Sequence, residues 1–375
     1  MKIVFLSNFY NHHQAFISRE LYALTGGQYR FIATEEMPEE RRKLGYQDQT
    51  ESFVFYYGEG EATRKAVRDW IDTADIVIVG SAPDKLLRRR RKKQKVILRY
   101  SEHLLKKGIQ RWKWPVRWLR LHRQNPRKAR IYLLSASAYT AEDFARFGLF
   151  QGKAYQWGYF PECKHYDDVN RLMADKDPCE ILWCGRFLDW KHPDDVLKIA
   201  QRLRDDRIPF HVSVIGTGDM EEELKKTVCS CHLEEQVTFL GSMSPSEVRS
   251  HMEKAGIYLF TSDHKEGWGA VLNEAMNSGC ATVACTDAGS TSCLIRHGEN
   301  GTTYSRGDMD TLYEHVRYLL TNPREQSRMG QAAYQTMVNE WNAEVAARRL
   351  LTLSEHLVDG EAAPRLFEDG PCKNM

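Results

Sequence analysis

The strongest constraint on the fold is an alternation of short apolar runs with segments of helical periodicity, which occurs twice along the chain. In the first half the apolar runs end in small or polar residues; they are "KIVFLS" (2–7), "FVFYYG" (53–58), "DIVIVG" (75–80), "KVILRYS" (95–101) and "IYLLSAS" (131–137). A helical pattern, "HHQAFISRELYAL" (12–24), follows the first run. This alternation is typical of parallel sheets with helices wound on both faces.

A polar segment, "PECKHYDDVNRLMADKDP" (161–178), separates the two halves, and the alternation restarts at "EILWCGR" (180–186). The chain of 375 residues also exceeds what one hydrophobic core usually organises. We therefore predict an α/β protein with two doubly wound, Rossmann-like domains, residues 1–165 and 166–345, followed by a C-terminal helix and a loose tail over 346–375. Because such sheets bind ligands beyond the carboxyl ends of their strands, we expect the two domains to face each other across a cleft.

Charge is distributed unevenly between the halves. Residues 1–165 contain 31 Lys and Arg against 17 Asp and Glu, whereas the remainder contains 22 against 34. The positive charge is concentrated in "RRRRKKQK" (88–95) and in residues 106–130, which carry ten basic residues, no acid and the tryptophans Trp112, Trp114 and Trp118. Indoles sit at the headgroup level of a bilayer, and each Lys or Arg near an anionic surface contributes about 1 kcal/mol. We expect peripheral contact with an anionic membrane, while a solvated basic helix would have the same composition. Nucleic acid is not an expected partner, because no zinc-finger spacing or RNP signature accompanies the charge.

The first residues, the length of the apolar segments and the cysteines indicate the cellular compartment. The first residues, "MKIVFLSNFY", contain an apolar run shorter than the roughly 7–15-residue core of a secretory signal, and no segment has the about 20 apolar residues that span a bilayer. The nine cysteines form no C-x-x-C pair, so no zinc or redox site is expected. We expect a cytoplasmic protein at the inner face of the membrane.

Two carboxylates stand eight positions apart in "EGWGAVLNEAMNSG" (266–279). Glu266 lies in a glycine-rich loop after a predicted strand, and Glu274 lies in a helix predicted from about Gly269 to Gly279. At roughly 1.5 Å per residue the spacing corresponds to about 12 Å, close to the distance between the sugar and the ribose of a sugar nucleotide. The helix N-terminus between the two acids suits a diphosphate. An isolated pair of glutamates at this spacing would more simply be two unrelated surface acids.

The segment resembles the E-x7-E signature of retaining glycosyltransferases with the GT-B fold, especially glycosyltransferase family 4. This chain has "TSDHKEGWGAVLNEAMNSGCATVAC" (261–285), with Ala281 where the family usually has Pro and Thr282 in place of the first Val. The resemblance implies that Glu266 holds donor-sugar hydroxyls or the developing charge, that Glu274 holds the ribose hydroxyls, and that the donor loop is completed by Gly267, Trp268 and Gly269.

Three further segments of the second half extend this resemblance. "WCGRFLDWKHPDDVL" (183–197) is similar to the family's G-R-x-x-x-x-K-G segment, with His192 in place of the last Gly. There Arg186 and Lys191 would bind the donor diphosphate, since two cations stabilise a leaving diphosphate without a metal. "VIGTGDMEEEL" and "VTFLGSMSPSEV" resemble the family's G-x-G turn and base-binding segment, which implies backbone contacts at Gly216 and Leu240. In "TDAGSTSC", Cys293 occupies the place of the family's acid.

The first half departs further from the family pattern. The loop "SNFYNHHQ" (7–14) stands where many members have a glycine pair, so Asn11, His12 and His13 would supply side-chain donors, unless the histidines only cap a helix. This loop and "RYSEHLLKKG" (99–108) resemble bacterial capsule and surface polysaccharide transferases. The resemblance makes Glu102 or His103 the acceptor-side group, with a helix N-cap at Ser101 as the alternative. "YQWGYFP" (155–161) would line the cleft or the hinge.

The resemblance implies transfer of a sugar from a nucleotide-diphosphate sugar to a glycan or lipid-linked saccharide, with retention of anomeric configuration, no metal and no cofactor. Two other classes remain open. A sugar-nucleotide isomerase or epimerase on the same fold would need the donor site but no acceptor. A non-catalytic adaptor would use the basic half and bind no sugar nucleotide.

Overall fold

The computed structural model describes residues 1–38, 51–58, 60–106, 108–361 and 364–375. Lys107, in the predicted basic stretch, and residues 362–363, in the predicted tail, lie outside the described residues. Contacts divide the chain into two compact units: unit 1 comprises residues 1–161 and 342–375, and unit 2 comprises residues 162–341. The C-terminal helix therefore belongs to unit 1, whereas its sequence suggested a separate segment.

Unit 1 contains a seven-stranded sheet in the order β3-β2-β1-β4-β5-β6-β7. Its strands are β1 Ile3–Ser7, β2 Tyr29–Ala33, β3 Val54–Tyr56, β4 Ile76–Val79, β5 Ile97–Ser101, β6 Ile131–Ser135 and β7 Ala154–Gln156. All neighbouring pairs are parallel. Strands β1, β4 and β6 are buried along their whole length, as expected for a sheet covered on both faces.

The helices of unit 1 cover this sheet. They are α1 His12–Leu24, α2 Glu61–Thr73, α3 Arg88–Lys92, α4 Trp114–Gln124, α5 Thr140–Ala145 and, after unit 2, a C-terminal helix over Ala343–Asp359. One core cluster fills the space between the central strands and α2; among its members are Val4, Leu6, Val67, Ile71 and Val77. The C-terminal helix packs against α1, so the end of the chain completes the first unit.

Unit 2 contains a six-stranded sheet in the order β10-β9-β8-β11-β12-β13, again with parallel pairs throughout. Its strands are β8 Asp177–Cys184, β9 His211–Ile215, β10 Val237–Gly241, β11 Ala255–Phe260, β12 Ala281–Cys285 and β13 Thr302–Tyr304. Its helices are α6 Val169–Ala174, α7 Pro193–Asp205, α8 Glu221–Ser230, α9 Pro245–Lys254, α10 Ala270–Asn277, α11 Thr291–Leu294, α12 Met309–Thr321 and α13 Pro323–Asn339; the C-terminal helix is α14. The strand order is the doubly wound one, with the chain starting in the middle and moving first to one edge and then to the other.

The last residues are ordered against unit 1, which differs from the loose tail expected from the polar sequence after residue 359. Tyr155 in the edge strand β7 forms an antiparallel bridge with Asn374. Gln156 N–H donates to the carbonyl of Lys373, and Cys372 N–H donates to the carbonyl of Gln156. The reason is that an edge strand offers unpaired backbone groups, which the tail satisfies.

The predicted fold class is confirmed: the chain is α/β with two doubly wound parallel sheets. None of the helices within the described ranges is long and apolar enough to cross a bilayer.

Candidate active site

The candidate donor site lies at the carboxyl ends of β8 and β11 in unit 2. The strand order reverses between these two strands, and such a switch point is where doubly wound sheets bind ligands. Arg186 and a short 3-10 turn, Asp189–Lys191, follow β8. The loop after β11 carries Glu266 and leads into α10, so the topology brings both predicted donor segments to one edge of the sheet.

Lys191 and Glu266 form an ion pair at this edge, with 2.6 Å between Lys191 Nζ and Glu266 Oε2. The two side chains are 13% and 14% exposed, so the pair is partly shielded from water. Thr261 Oγ1 donates to the carbonyl of Lys191 at 2.5 Å and itself accepts from the indole of Trp183 at 2.8 Å. These bonds fix the lysine's turn to the end of β11. The cation predicted for the diphosphate therefore touches the acid predicted for the sugar.

Arg186 lies on the exposed surface just beyond β8. Among the described residues no acid pairs with its guanidinium. An exposed arginine without a carboxylate partner at a strand end is available to an anion.

Glu274 lies in α10, one helix turn before its end. Burial raises the pKa of its carboxyl, an effect that Arg249 opposes and Glu162 reinforces. No side chain within the described part of the protein donates a hydrogen bond to this carboxylate. The carboxylate is half-buried, and a ligand hydroxyl could donate the hydrogen bond that the protein does not supply, so Glu274 suits a hydroxyl-bearing ligand.

Glu274→Gln is expected to stabilise unit 2 at pH 7 and to weaken donor binding. Since the folded pKa lies above the unfolded one, the wild type loses stability as pH rises through these values, whereas Gln is neutral throughout. The gain in melting temperature should therefore vanish below about pH 4. The dissociation constant of the donor should rise about tenfold, since one good hydrogen-bonded contact contributes ~1.4 kcal/mol.

Scanning calorimetry at several pH values and titration calorimetry with sugar nucleotides measure the two effects. Glu299→Gln is the matched control, because Glu299 is 71% exposed on the surface of the same unit. A Glu274→Gln protein with unchanged donor affinity would remove the ribose assignment.

Two glycines shape the site. Gly216 has φ 134°, and a Cβ there would lie 1.9 Å from the carbonyl oxygen of Gly185. Gly269 precedes α10 with φ 89°, and a Cβ there would lie 2.3 Å from the ring of Phe260. Each position requires glycine. Gly216 allows the loops beyond β8 and β9 to approach each other closely, and Gly269 leaves the N-terminus of α10 open.

Trp268 occupies the core, so its indole is not a donor-binding group. It is 1% exposed, donates from Nε1 to Asn273 Oδ1 at 2.8 Å and packs on Trp341 with 5.7 Å between ring centroids. The sequence placed Trp268 in the donor loop, and the structure places its indole in the core, because a large apolar ring gains more by burial than at a polar site. Gly267 beside it is also buried.

Leu240 lies in the edge strand β10, and Cys293 lies in α11, which follows β12. The register of β10 against β9 shifts between Phe239 and Gly241, so Leu240 sits at an irregularity in the ladder. The loop before α11 is tied to the donor loop because Gly289 N–H donates to the carbonyl of Glu266 at 3.3 Å.

In unit 1 the predicted loop after β1 and Glu102 after β5 are brought together by Tyr159. His12 and His13 have ring centroids 4.0 Å apart, and His13 stacks on Tyr159 at 5.0 Å. The hydroxyl of Tyr159 donates to Glu102 Oε1, while Lys106 Nζ lies 2.9 Å from Glu102 Oε2. Burial lowers the pKa of His12.

Asn11 rather than a histidine caps α1, since its side-chain oxygen accepts from the N–H of His13 at 2.9 Å. Ser101 ends strand β5 and does not start a helix. Neither capping alternative is correct: Asn11 already caps α1, and no described helix begins at Ser101.

His103 is oriented by a buried acid. Its Nδ1 lies 2.6 Å from Asp143 Oδ2, and the same oxygen accepts from the N–H of Leu105 at 2.8 Å. The side chains of His103 and Asp143 are 12% and 5% exposed. This leaves Nε2 of the imidazole as the outward-facing nitrogen, an arrangement that can hold or move a proton.

Sequence reasoning missed Asp143 as a site residue, and it placed the segment of Tyr159 at the cleft or the hinge without linking Tyr159 to Glu102. Asp143 stands 40 positions from His103, and Tyr159 stands 57 positions from Glu102. No local pattern links such distant residues. Proximity of β5, β6 and β7 in one parallel sheet is the only signal that could have suggested them.

The comparisons with known proteins concern the part of the chain that carries the candidate donor site. The family model of glycosyl transferases group 1 matches residues 167–336. These residues are similar to the glycosyl transferases of that group. The resemblance drawn from the E-x7-E segment is thereby confirmed, and the matched residues contain the whole candidate donor site.

Curated relatives match up to half of the chain. An uncharacterised glycosyltransferase of Haemophilus influenzae is 27% identical over 177 residues, which cover 45% of this chain and 49% of the relative. The amylovoran biosynthesis glycosyltransferase AmsK of Erwinia amylovora is 26% identical over 185 residues, 48% of this chain and 45% of the relative. The chain thus spans about half the length of the curated relatives it matches.

A solved structure covers both units. HepE of Anabaena, crystallised in complex with UDP, aligns with a TM-score of 0.69 over 95% of this chain and 100% of that one, at 15% identity. This likeness establishes the GT-B glycosyltransferase fold for the chain.

Proposed function

We propose that this protein transfers a sugar from a nucleotide-diphosphate sugar to a glycan or lipid-linked saccharide. The observation that carries the proposal is the Lys191–Glu266 ion pair at the switch point, on the loop that leads to Glu274. A cation, a helix N-terminus and two acids at one sheet edge match the diphosphate, sugar and ribose of such a donor. AmsK and the UDP complex of HepE support this substrate class.

The donor would be held by charge from three sources. Lys191 and the exposed Arg186 take the diphosphate, together with the backbone N–H groups that begin α10 after Gly269. Glu266 takes a sugar hydroxyl or the developing positive charge, and Glu274 takes the ribose. Backbone groups at Gly216, Gly267 and Leu240 complete the binding of phosphate and base.

Bond cleavage at the anomeric carbon leaves a nucleoside diphosphate and a cation-like sugar. Two fixed cations stabilise the departing charge, so we propose that transfer needs neither a metal nor a cofactor. Activity that persists in excess EDTA is the expected result. Retention of anomeric configuration is part of the proposal and rests on the family resemblance. NMR of the first product formed measures its anomeric configuration directly.

On the acceptor side we propose His103 and Glu102. Asp143 fixes the ring of His103 with one nitrogen outward, and Tyr159 and Lys106 fix the carboxylate of Glu102. These groups can hydrogen-bond an acceptor hydroxyl. The loop of Asn11, His12 and His13 packs on the same Tyr159 and would contribute further polar contacts.

The test of the function is a thermal-shift panel of UDP-glucose, UDP-galactose, UDP-N-acetylglucosamine and GDP-mannose. A ligand at about 100 times its dissociation constant adds ~2.7 kcal/mol of stability, so one member should raise the melting temperature clearly. Turnover of that sugar nucleotide should depend on an added saccharide acceptor. Conversion to another sugar nucleotide without acceptor would instead indicate an isomerase, and no shift with any member would contradict a transferase.

We further propose that unit 1 docks on the anionic inner face of the membrane, which would suit surface polysaccharide synthesis. Helix α4 packs inward through Leu121 and through Trp114, which stacks on Phe147 at 4.1 Å. Its opposite side and the preceding turn expose apolar residues: Trp112 is 77%, Val116 73% and Leu119 53% exposed. Arg120 and Arg123 are exposed beside them. Apolar side chains flanked by cations suit an acidic bilayer surface.

The double substitution Arg120→Gln and Arg123→Gln is expected to weaken binding to phosphatidylserine vesicles about 30-fold, since each charge contributes ~1 kcal/mol. Vesicle co-sedimentation measures this binding. The matched control replaces Lys225 and Lys226, both exposed on α8 of unit 2, with Gln. Equal binding by all three proteins would show that α4 does not carry the contact.

A further inference from the structure

His192 links the two turns that carry the donor residues. It follows Lys191 directly and adopts the left-handed conformation, with φ 48° and ψ 54°. The imidazole Nε2 lies 3.2 Å from Asp263 Oδ2, in the loop after β11. Left-handed backbone favours glycine, the residue that the G-R-x-x-x-x-K-G segment resembled here has at this place. The side chain here therefore occupies a strained position and makes contacts that glycine could not.

The proton on His192 is placed by its neighbours. Arg306 Nη2 lies 2.8 Å from His192 Nδ1, and Arg306 Nη1 lies 3.1 Å from Asp195 Oδ2. A guanidinium only donates hydrogen bonds, so Nδ1 accepts and Nε2 carries the proton that goes to Asp263. Asp195 has 1% of its side chain exposed and also pairs with Lys198 at 2.9 Å. A buried acid thus holds Arg306, and Arg306 sets the tautomer of His192.

Asp263 in turn shapes the loop of Glu266. Its Oδ1 accepts from the N–H of Lys265 at 2.8 Å, and its carbonyl accepts from the N–H of Glu266 at 2.9 Å. Its own N–H donates to the carbonyl of Trp190 at 2.9 Å. The carboxylate that receives the histidine proton is therefore part of the turn that presents the sugar-binding acid.

We propose that His192 is a positioning residue of the donor site, which holds the Glu266 turn against the Lys191 turn while a donor is bound. Without donor, two shielded side-chain links join these turns: the Lys191–Glu266 ion pair and the His192–Asp263 hydrogen bond. A third pair, Lys265–Asp189 at 3.3 Å, is exposed, so water weakens it. Binding of a diphosphate by Lys191 opens the first link, because the lysine then shares its donors with phosphate oxygens. The second link remains and keeps Glu266 in place. This role rests on the proposed function.

The test compares His192→Gly with Arg207→Gly. Both replace a left-handed non-glycine residue, and Arg207 has φ 59° just after α7, exposed and with no side-chain hydrogen bond to the described residues. Neither variant should have a lower melting temperature, since glycine relieves backbone strain. Binding of UDP-glucose or GDP-mannose, measured by titration calorimetry, should weaken about tenfold in His192→Gly, equivalent to ~1.4 kcal/mol, and not at all in Arg207→Gly.

A third variant separates positioning from packing. Arg306→Lys keeps a charge beside Asp195 but cannot serve Asp195 and His192 together, so it should weaken donor binding in the wild type and add nothing in His192→Gly. Equal donor affinity in wild type and His192→Gly, or a lower melting temperature with unchanged affinity, would overturn the role of His192 alone. A wild type that binds neither sugar nucleotide would instead overturn the proposed function and this role with it.

Discussion

Arg90→Met is expected to lower the free energy of unfolding of unit 1 by about 4 kcal/mol, a size reached when a buried charged group is removed from its partners. Arg90 is 0% exposed. Its guanidinium makes five hydrogen bonds of 2.6–3.0 Å to the backbone carbonyls of Ile71, Ala74, Asp75 and Val96. Burial lowers its pKa to about 10, which leaves it charged at neutral pH.

The reason for so large an effect lies at the end of α2. The last carbonyls of a helix have no partner within it, and they carry partial negative charge. Arg90 satisfies those of Ile71 and Ala74 and at the same time joins the starts of β4 and β5 through Asp75 and Val96. Methionine fills the volume but donates nothing, so these buried oxygens would lose their partners.

Hydrogen-exchange mass spectrometry of β4 and β5 measures this change in unit 1 separately from unit 2. Arg89→Met is the matched control, because its neighbouring side chain is 78% exposed and pairs with Asp72 only at 3.7 Å; it should shift stability by less than about 0.5 kcal/mol. Arg90→Lys keeps the charge with fewer donors and should fall between the two. A loss below about 1 kcal/mol in Arg90→Met would mean that the carbonyls find water instead.

The fold could be predicted from the sequence where the pattern of apolar residues was regular. The helix expected over residues 12–24 is α1 within the same bounds, and the helix expected from about Gly269 to Gly279 is α10, Ala270–Asn277. Strands β2, β7 and β13 were not predicted. Their sequences, YRFIA, AYQ and TTY, mix polar with apolar residues, so no continuous apolar run marks them.

The candidate site was predictable in its strand-end residues but not in their partners. Glu266 and Lys191 follow strands, and strand ends at the switch point meet by topology alone. Arg306, which sets the tautomer of His192, lies 114 positions away, and Asp143 is joined to His103 only through the sheet. The core position of Trp268 also escaped prediction, because the glycines flanking an aromatic ring do not tell whether it points to ligand or to core.

The basic run 88–95 illustrates the same limit. Its composition indicated a solvated or membrane-facing surface, yet Arg90 within it is the most deeply buried charge of unit 1 among the described residues, and Arg91 pairs with Asp84 at 2.6 Å. Charge composition specifies the average environment of a run. The environment of each member depends on which side of a short helix faces the sheet.

Lys191→Met is expected to lower kcat/KM for the sugar nucleotide by about 10²–10³-fold, the effect of losing one preorganised group that stabilises transition-state charge. The lysine is the one cation in contact with Glu266 in the described structure, at 2.6 Å. Its removal takes a positive charge from the diphosphate and also leaves the carboxylate of Glu266 uncompensated. Two effects of the same sign therefore act on an anionic donor: lost attraction and new repulsion.

A double substitution separates them. In Lys191→Met combined with Glu266→Gln the repulsion is gone, so donor affinity should recover in part, while turnover should stay low because both the cation and the acid are missing.

Lys265→Met is the matched control: this lysine lies in the same loop as Glu266, is 42% exposed and pairs with the exposed Asp189 at 3.3 Å, so binding and turnover should not change. Titration calorimetry gives the affinity and the rate of nucleotide release gives turnover. Full donor affinity in Lys191→Met would place the diphosphate elsewhere, whereas recovery of turnover in the double variant would show that neither the charge of Lys191 nor the carboxylate of Glu266 is needed for the reaction.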